Sequence, residues 1–185
     1  MGGLNYTSGA VTSKLSWTNA RVCVHAKLPG FNSMYARGIW PAHWLLPADK
    51  SCWPDHGEID IMEMINGDGN VHGTYHWNPD YPNTQCNYKD GSAGGYTSLS
   101  GNSWASEYHE YATEWGRDYV TFLLDGKVYV NITAESHNPP PQFPSVPMYL
   151  ILNTAVGGPW PGPPNDHTQF PTYHYIDTVT VATKA

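Results

Sequence analysis

Residues 56–67, HGEIDIMEMING, constrain this chain more than any other stretch, because they set three carboxylates among isoleucines and methionines. Glu58, Asp60 and Glu63 lie within six residues, in a chain that has only 16 acidic residues among 185, so their clustering is informative. Side chains two apart on a strand share a face, and the alternation of Glu58 and Asp60 with Ile59 and Ile61 predicts a strand over 57–65. Glu63 is out of step with its two partners. On a regular strand it would be buried among apolar side chains, at a cost of several kcal/mol unless paired or neutralised. One extra residue, a β-bulge near Ile61 and Met62, restores the register and turns all three acids to one face, with Ile59 and Ile61 behind them.

The rest of the chain supports a β protein. It has 13 Tyr, 8 Trp, 18 Gly and 16 Pro with 14% charged residues, which leaves little material for amphipathic helices. At 185 residues it is one domain by length and long enough to bury a core. Nine basic residues against 16 acidic ones give a net charge of −7, which disfavours nucleic acid and anionic membranes as partners and leaves a neutral polymer as the natural one. No stretch approaches the roughly 20 apolar residues of a membrane span. The first residues are neither a signal peptide nor a myristoylation site, since Tyr6 stands where Ser or Thr is required. Asn5-Tyr6-Thr7 and Asn131-Ile132-Thr133 are sequons that permit glycosylation. Cys23, Cys52 and Cys86 lack zinc-like spacing and allow at most one internal disulfide. Cys23, on a strand-like segment, is expected to be a buried thiol, while Cys52 and Cys86 fall in loops on either side of the acidic segment, so that a bond between them is a minor alternative.

Taken in order, residues 21–28 alternate Val22, Val24, Ala26 and Leu28 with polar neighbours, as in a half-buried antiparallel strand. Pro29-Gly30 ends it; a second strand is expected over 40–46, and 47–54 form a loop just before the acids. In 119–132, Asp125-Gly126 between two β-rich runs marks a two-residue hairpin. The run Pro139-Pro140-Pro141 makes 138–147 a loop, and long strands are expected over 148–155 and 173–182. With no repeat and no linker, a two-sheet antiparallel sandwich is the most economical architecture.

Two glutamates flanking an aspartate on one surface supply a nucleophile, a helper and a proton donor, the set that a double-displacement glycosidase needs. Crowded carboxylates raise at least one pKa, so one acid stays protonated near neutral pH. The flanking segments 38–47, GIWPAHWLLP, and 71–77, VHGTYHW, are rich in the aromatic and histidine side chains that stack on and hydrogen-bond sugars. On these residues the chain resembles the family 16 glycoside hydrolases, and among them the laminarinase-like β-1,3-glucanases, whose signature E-[ILV]-D-[IV]-M-E contains the bulge. Lichenases and xyloglucan transglycosylases of that family tend to lack the extra residue, and here Met62 is present. The likeness runs from YTSG at Tyr6 through LILNTAVGGPWPG at 150–162 to FPTYHYIDTVTV at 170–181.

The resemblance implies an all-β jelly roll with a concave substrate cleft, spanning 1–185 as a single catalytic domain without the strands that usually precede the YTSG segment. It implies a retaining endo-hydrolase of β-1,3-glucan or mixed-linkage β-1,3/1,4-glucan, with Glu58 as nucleophile, Asp60 as assisting carboxylate and Glu63 as acid/base. Trp44 and His76 are implied for the cleft; Trp160 is expected there because the run GGPWPG at 157–162 is a loop that can expose a ring, and Asn153 and Arg37 are lesser candidates for polar contacts. Trp40, Trp77 and Trp115 are open to either a platform or a core reading, and Trp115 is assigned to the core. Asp177 resembles a position that ligates a structural calcium in many relatives, and no cofactor is required for catalysis. Ala10 stands where many relatives have Arg. A secreted monomer acting on β-glucan is expected. The alternatives are a non-catalytic β-glucan-recognition protein, which typically loses the acids retained here, and a related hydrolase acting on a galactan.

Overall fold

The structure is a computed structural model and describes residues 5–82 and 89–183. Its strands are β1 (Ala10–Trp17), β2 (Ala20–Lys27), β3 (Ile39–Pro47), β4 (Glu58–Glu63), β5 (Asn70–Trp77), β6 (Gly91–Ser98), β7 (His109–Trp115), β8 (Tyr119–Leu124), β9 (Lys127–Thr133), β10 (Met148–Val156) and β11 (Tyr175–Thr183). One helical turn, α1 (Ser103–Ser106), and a 3-10 turn at Ala134–Ser136 are the helical segments of the described residues. The strands form two antiparallel sheets, β1-β10-β3-β4-β5-β6 and β11-β2-β7-β8-β9. This is the expected jelly-roll sandwich, with β4 in the interior of the six-stranded sheet.

The alternation seen in the sequence sets the core. Val22, Val24 and Ala26 on β2 are fully buried and face Ile59, Ile61, Tyr75, Trp115 and Phe122 in one apolar cluster. Asp125 and Gly126 both have positive φ, +49° and +73°, between paired Leu124 and Lys127, which is the backbone of a two-residue primed hairpin turn. Trp104 on α1 is buried, its ring against Gly30 and Gly67. Trp77 and Trp115 are core residues.

Three expectations change. The acidic strand ends at Glu63 rather than at 65, because Asn66 and Gly67 have φ of +59° and +58°, outside the strand region. Cys23 is not a buried thiol: it shares a face with Arg21 and His25, is half-buried and free, and accepts a hydrogen bond from Arg21 Nε at 3.2 Å. Cys52 is disulfide-bonded; Cys86, the partner considered for it, lies outside the described residues.

The bulge lies where the acids require it. Trp44 pairs with Asp60 and His43 with Met62, so Ile61 is the extra residue on the β3 side. Toward β5, Asp60 pairs with Thr74 and Glu63 with His72, so Ile61 and Met62 together oppose Gly73. Both apolar side chains are fully buried. Gly73 makes the room: a Cβ there would come within 2.7 Å of Phe122 Cγ, in the facing sheet. Gly73→Ala should therefore destabilise the fold by about 1–3 kcal/mol through overpacking, read as a fall in Tm at constant pH. An unchanged Tm would show that the bulge has slack in its packing.

Candidate active site

Glu58, Asp60 and Glu63 line one cleft of about 350 Å³ together with Trp40, Ala42, Trp44, Trp53, Asn153 and Ala155. The cleft lies on the face of β4 away from the core. Asp60 is 4% exposed, whereas the two glutamates are half-buried.

Each acid has its own donors. Trp53 Nε1 donates to Glu58 Oε2 at 3.0 Å and Trp40 Nε1 donates to Glu63 Oε1 at 2.9 Å. Glu58, Asp60 and His76 bring one donor atom each within 4.8 Å of one another. His76 Nε2 lies 3.2 Å from Asp60 Oδ2, and His76 Nδ1 lies 3.0 Å from Asp90 Oδ1, so the imidazole bridges two carboxylates. Trp44 Nε1 donates to Asn153 Oδ1 at 2.7 Å, which fixes that amide over the cleft floor. The loop that carries Trp53 is tied by Asn78 Nδ2 donating to Asp55 at 2.6 Å and by the His56–Asp49 contact at 2.8 Å.

Burial raises all three acids. Glu58 is pushed up to about 8 and Glu63 to about 7, in both cases first by desolvation and then by the charge of Asp60, against the opposing hydrogen bonds from Trp53 and Trp40. Asp60 is raised by burial and held back by His76. Burial works against the His76 imidazolium, but hydrogen bonds and charges from Asp60 and Asp90 outweigh it and carry the group to about 9. Near neutral pH the site therefore holds a cationic His76 and fewer than three carboxylate charges.

Of the residues singled out in the sequence, Glu58, Asp60, Glu63, Trp44, Asn153 and His76 are brought together. Trp160 is 43% exposed and packs edge-on against Trp40 at 5.6 Å and His72 at 5.1 Å, next to the acids. Arg37 is not brought to them; it is exposed, with its guanidinium against Gly162. Trp40 and Trp53 are donors that sequence reasoning left undecided or passed over. Trp40 shares strand parity with Ala42 and Trp44, a signal that was available; Trp53 sits in a loop, where parity says nothing.

Glu58, Asp60 and His76 are the three-donor group within metal-binding reach among the described residues, their donor atoms within 4.8 Å of one another. His76 Nε2, 3.2 Å from Asp60 Oδ2, and Trp53 Nε1, 3.0 Å from Glu58 Oε2, already partner its two carboxylates. Asp177, the residue expected to ligate calcium, is exposed, and His25 Nδ1 lies 2.9 Å from its carboxylate. Calcium takes six to eight oxygen ligands.

Residues 4–175 match the family described as glycosyl hydrolases family 16. A glucan endo-1,3-beta-glucosidase A1 of Niallia circulans is 37% identical over 169 residues, covering 85% of this chain and 23% of that protein. A beta-glucanase of Rhodothermus marinus is 34% identical over 192 residues, covering 97% of this chain and 63% of that protein. The chain thus spans less than two thirds of either relative. The laminarinase catalytic domain of Thermotoga maritima MSB8 superposes with a TM-score of 0.78 at 31% identity, over 96% of this chain and 69% of that one.

The acid cluster predicts a pH-dependent stability. The folded values of Glu58, Glu63 and His76 all lie above their unfolded ones, so their contribution is present in full below the unfolded values and is lost as pH rises through about 7 to 9. Glu58→Gln and Glu63→Gln should raise Tm by a few degrees at about pH 9 and by little at about pH 5. Equal shifts at the two pH values in calorimetry would contradict this account.

Proposed function

Because the chain belongs to glycosyl hydrolases family 16, and because its three acids stand in one aromatic-lined cleft, we propose that it is a retaining endo-hydrolase of β-1,3-glucan that also accepts mixed β-1,3/1,4 linkages. The observation that carries this reading is the bulged register, which places Glu58 and Glu63 on either side of Asp60 on one face.

In the first step Glu63, kept protonated by burial, donates its proton to the glycosidic oxygen as the bond to the anomeric carbon breaks, and a Glu58 carboxylate oxygen forms the new bond to that carbon. Glu58 must be ionised to do so. With a proton on the neighbouring Asp60, Glu58 is the carboxylate, and Trp53 stabilises that charge with its N–H. The His76 imidazolium adds to this, its positive charge favouring the ionised Glu58. In the second step Glu63, now ionised, takes a proton from water as its oxygen attacks the anomeric carbon; Glu58 leaves as a carboxylate, and the starting configuration is restored. Retention requires working carboxyls about 5–5.5 Å apart, whereas inversion requires roughly 6.5–9.5 Å to admit a water.

The substrate assignment follows the named activities of the relatives, together with a cleft that offers rings and amide groups to a neutral sugar. The disulfide at Cys52 supports an oxidising, extracellular setting.

Glu58→Ala and Glu63→Ala should each lower turnover of laminarin by more than about a thousandfold while the chain still binds it, and azide should restore activity to Glu58→Ala by standing in for the nucleophile. NMR of the first product should show the β-anomer. An initial α-anomer would mean inversion; binding without turnover by the wild type would favour a recognition protein, and activity only on agarose would move the substrate to a galactan.

A further inference from the structure

The β-ladder orders the face that carries the acids into rows that cross the strands. One row runs Trp44, Asp60, Thr74, Gly94, and the next includes Glu58, His76 and Ser92. His76 thus stands beside Glu58 on the neighbouring strand, while its ring reaches across to the Asp60 row, with Nε2 3.2 Å from Asp60 Oδ2. Its other nitrogen is held from the far side. Asp90, the residue that precedes β6, brings both carboxylate oxygens to His76 Nδ1, at 3.0 and 3.1 Å. The indole of Trp53 packs against the imidazole with 5.8 Å between ring centroids, so the ring is held along its face as well as at its two nitrogens.

That geometry selects a protonation state. A neutral imidazole has one N–H and one lone pair, so it donates to only one of two carboxylates; the imidazolium donates to both. The titratable groups that face His76 are all acids: Asp90 ahead of β6, Glu58 and Asp60 on β4, and Glu63 further along that strand. Asp60 is almost wholly buried, whereas the Asp90 side chain is 32% exposed and does not line the cleft. An amide in place of the Asp90 carboxylate could still accept from Nδ1–H, but it would not hold the positive charge. The neutral tautomer with its proton on Nδ1 turns a lone pair toward Asp60, so the donor to Asp60 is lost and the cation beside Glu58 with it.

We propose that Asp90 is a positioning residue for the reaction: by holding His76 as a cation with its Nε2–H aimed at Asp60, it keeps Glu58 in the carboxylate form that attacks the anomeric carbon. This rests on the hydrolase reading given above. Asp90 acts through the imidazole and touches no reacting atom. Its charge works on the two neighbouring acids in opposite senses. Asp60 is raised first by burial, and the Asp90 charge adds to that, so Asp60 keeps a proton more readily. Burial raises Glu58 too, but there the His76 cation that Asp90 stabilises favours the ionised form. One carboxylate outside the cleft thus steers the proton to the acid that forms no bond to the sugar.

The test compares wild type, Asp90→Asn and Asp90→Glu. NMR of the imidazole nitrogens follows the His76 titration without any substrate. Wild type should keep the His76 proton up to about 9. Asp90→Asn should lose it about two pH units lower, and Asp90→Glu, which keeps the charge, should stay near wild type. The kcat/KM of Asp90→Asn on laminarin should then lie within about twofold of wild type at about pH 5.5, where both proteins carry the cation, and about tenfold below it at about pH 8. A His76 titration that moves by less than about half a pH unit in Asp90→Asn overturns the proposal. Equal losses of activity at the two pH values, as a merely structural role would give, overturn it as well, and so does an Asp90→Glu that matches Asp90→Asn in both readouts. A wild type inert on all glucans sinks the hydrolase reading instead, and the titration, which needs no turnover, tells that failure apart from a failure of Asp90 to set the charge of His76.

Discussion

The bulge in β4 is the constraint on which the rest of the site depends. It lets five residues, Ile59 to Glu63, do what a regular strand cannot: put three apolar side chains on the core side while keeping Glu63 on the same face as Glu58 and Asp60. The core must then absorb two adjacent side chains, Ile61 and Met62, opposite one position of β5. Gly73 is that position, and Phe122 of the facing sheet closes over it. Placement of the acids is thus a packing statement as much as an electrostatic one.

The same arrangement makes the site expensive to fold. Three carboxyls close together and largely out of water destabilise one another, and the structure offsets this with directed donors rather than with a single counter-charge. Trp53 serves Glu58, Trp40 serves Glu63, and His76 serves Asp60 while Asp90 holds its other nitrogen. Two indoles and one imidazole differ in what they permit. An indole N–H can only donate, so it favours the ionised form of its glutamate without taking the proton. The imidazolium carries a charge, and it sits on the acid that need not form a bond to the sugar.

Much of this was legible in the sequence because it rests on parity. The alternation of β2, the Asp125-Gly126 turn and the misplaced Glu63 each predict local geometry from side-chain period, and the structure shows the strand, the turn and the bulge. What parity does not encode was missed. Trp53 reaches Glu58 from a loop, and Trp104 enters the core from one helical turn. Cys23 illustrates the reverse error: its residue type suggested burial, although its parity with Arg21 and His25 already placed it on the polar face.

The row structure of the sheet also bears on the endo mode proposed for this site. The acids stand on an interior strand, with β3, β10 and β1 on one side and β5 and β6 on the other. A ligand lying across the strands meets protein on both sides of the scissile position. Successive strands are about 4.8 Å apart, so each adds a fixed increment to the length of polymer engaged. No side chain of the Asp60 row blocks the β6 end, where Gly94 stands, and nothing in that row beyond Thr74 could anchor a chain terminus. Under the proposed endo-hydrolase reading, a row that reaches Gly94 without a blocking side chain would let a polymer run on across β6, and the endo mode would follow from the register of the strands rather than from any single residue.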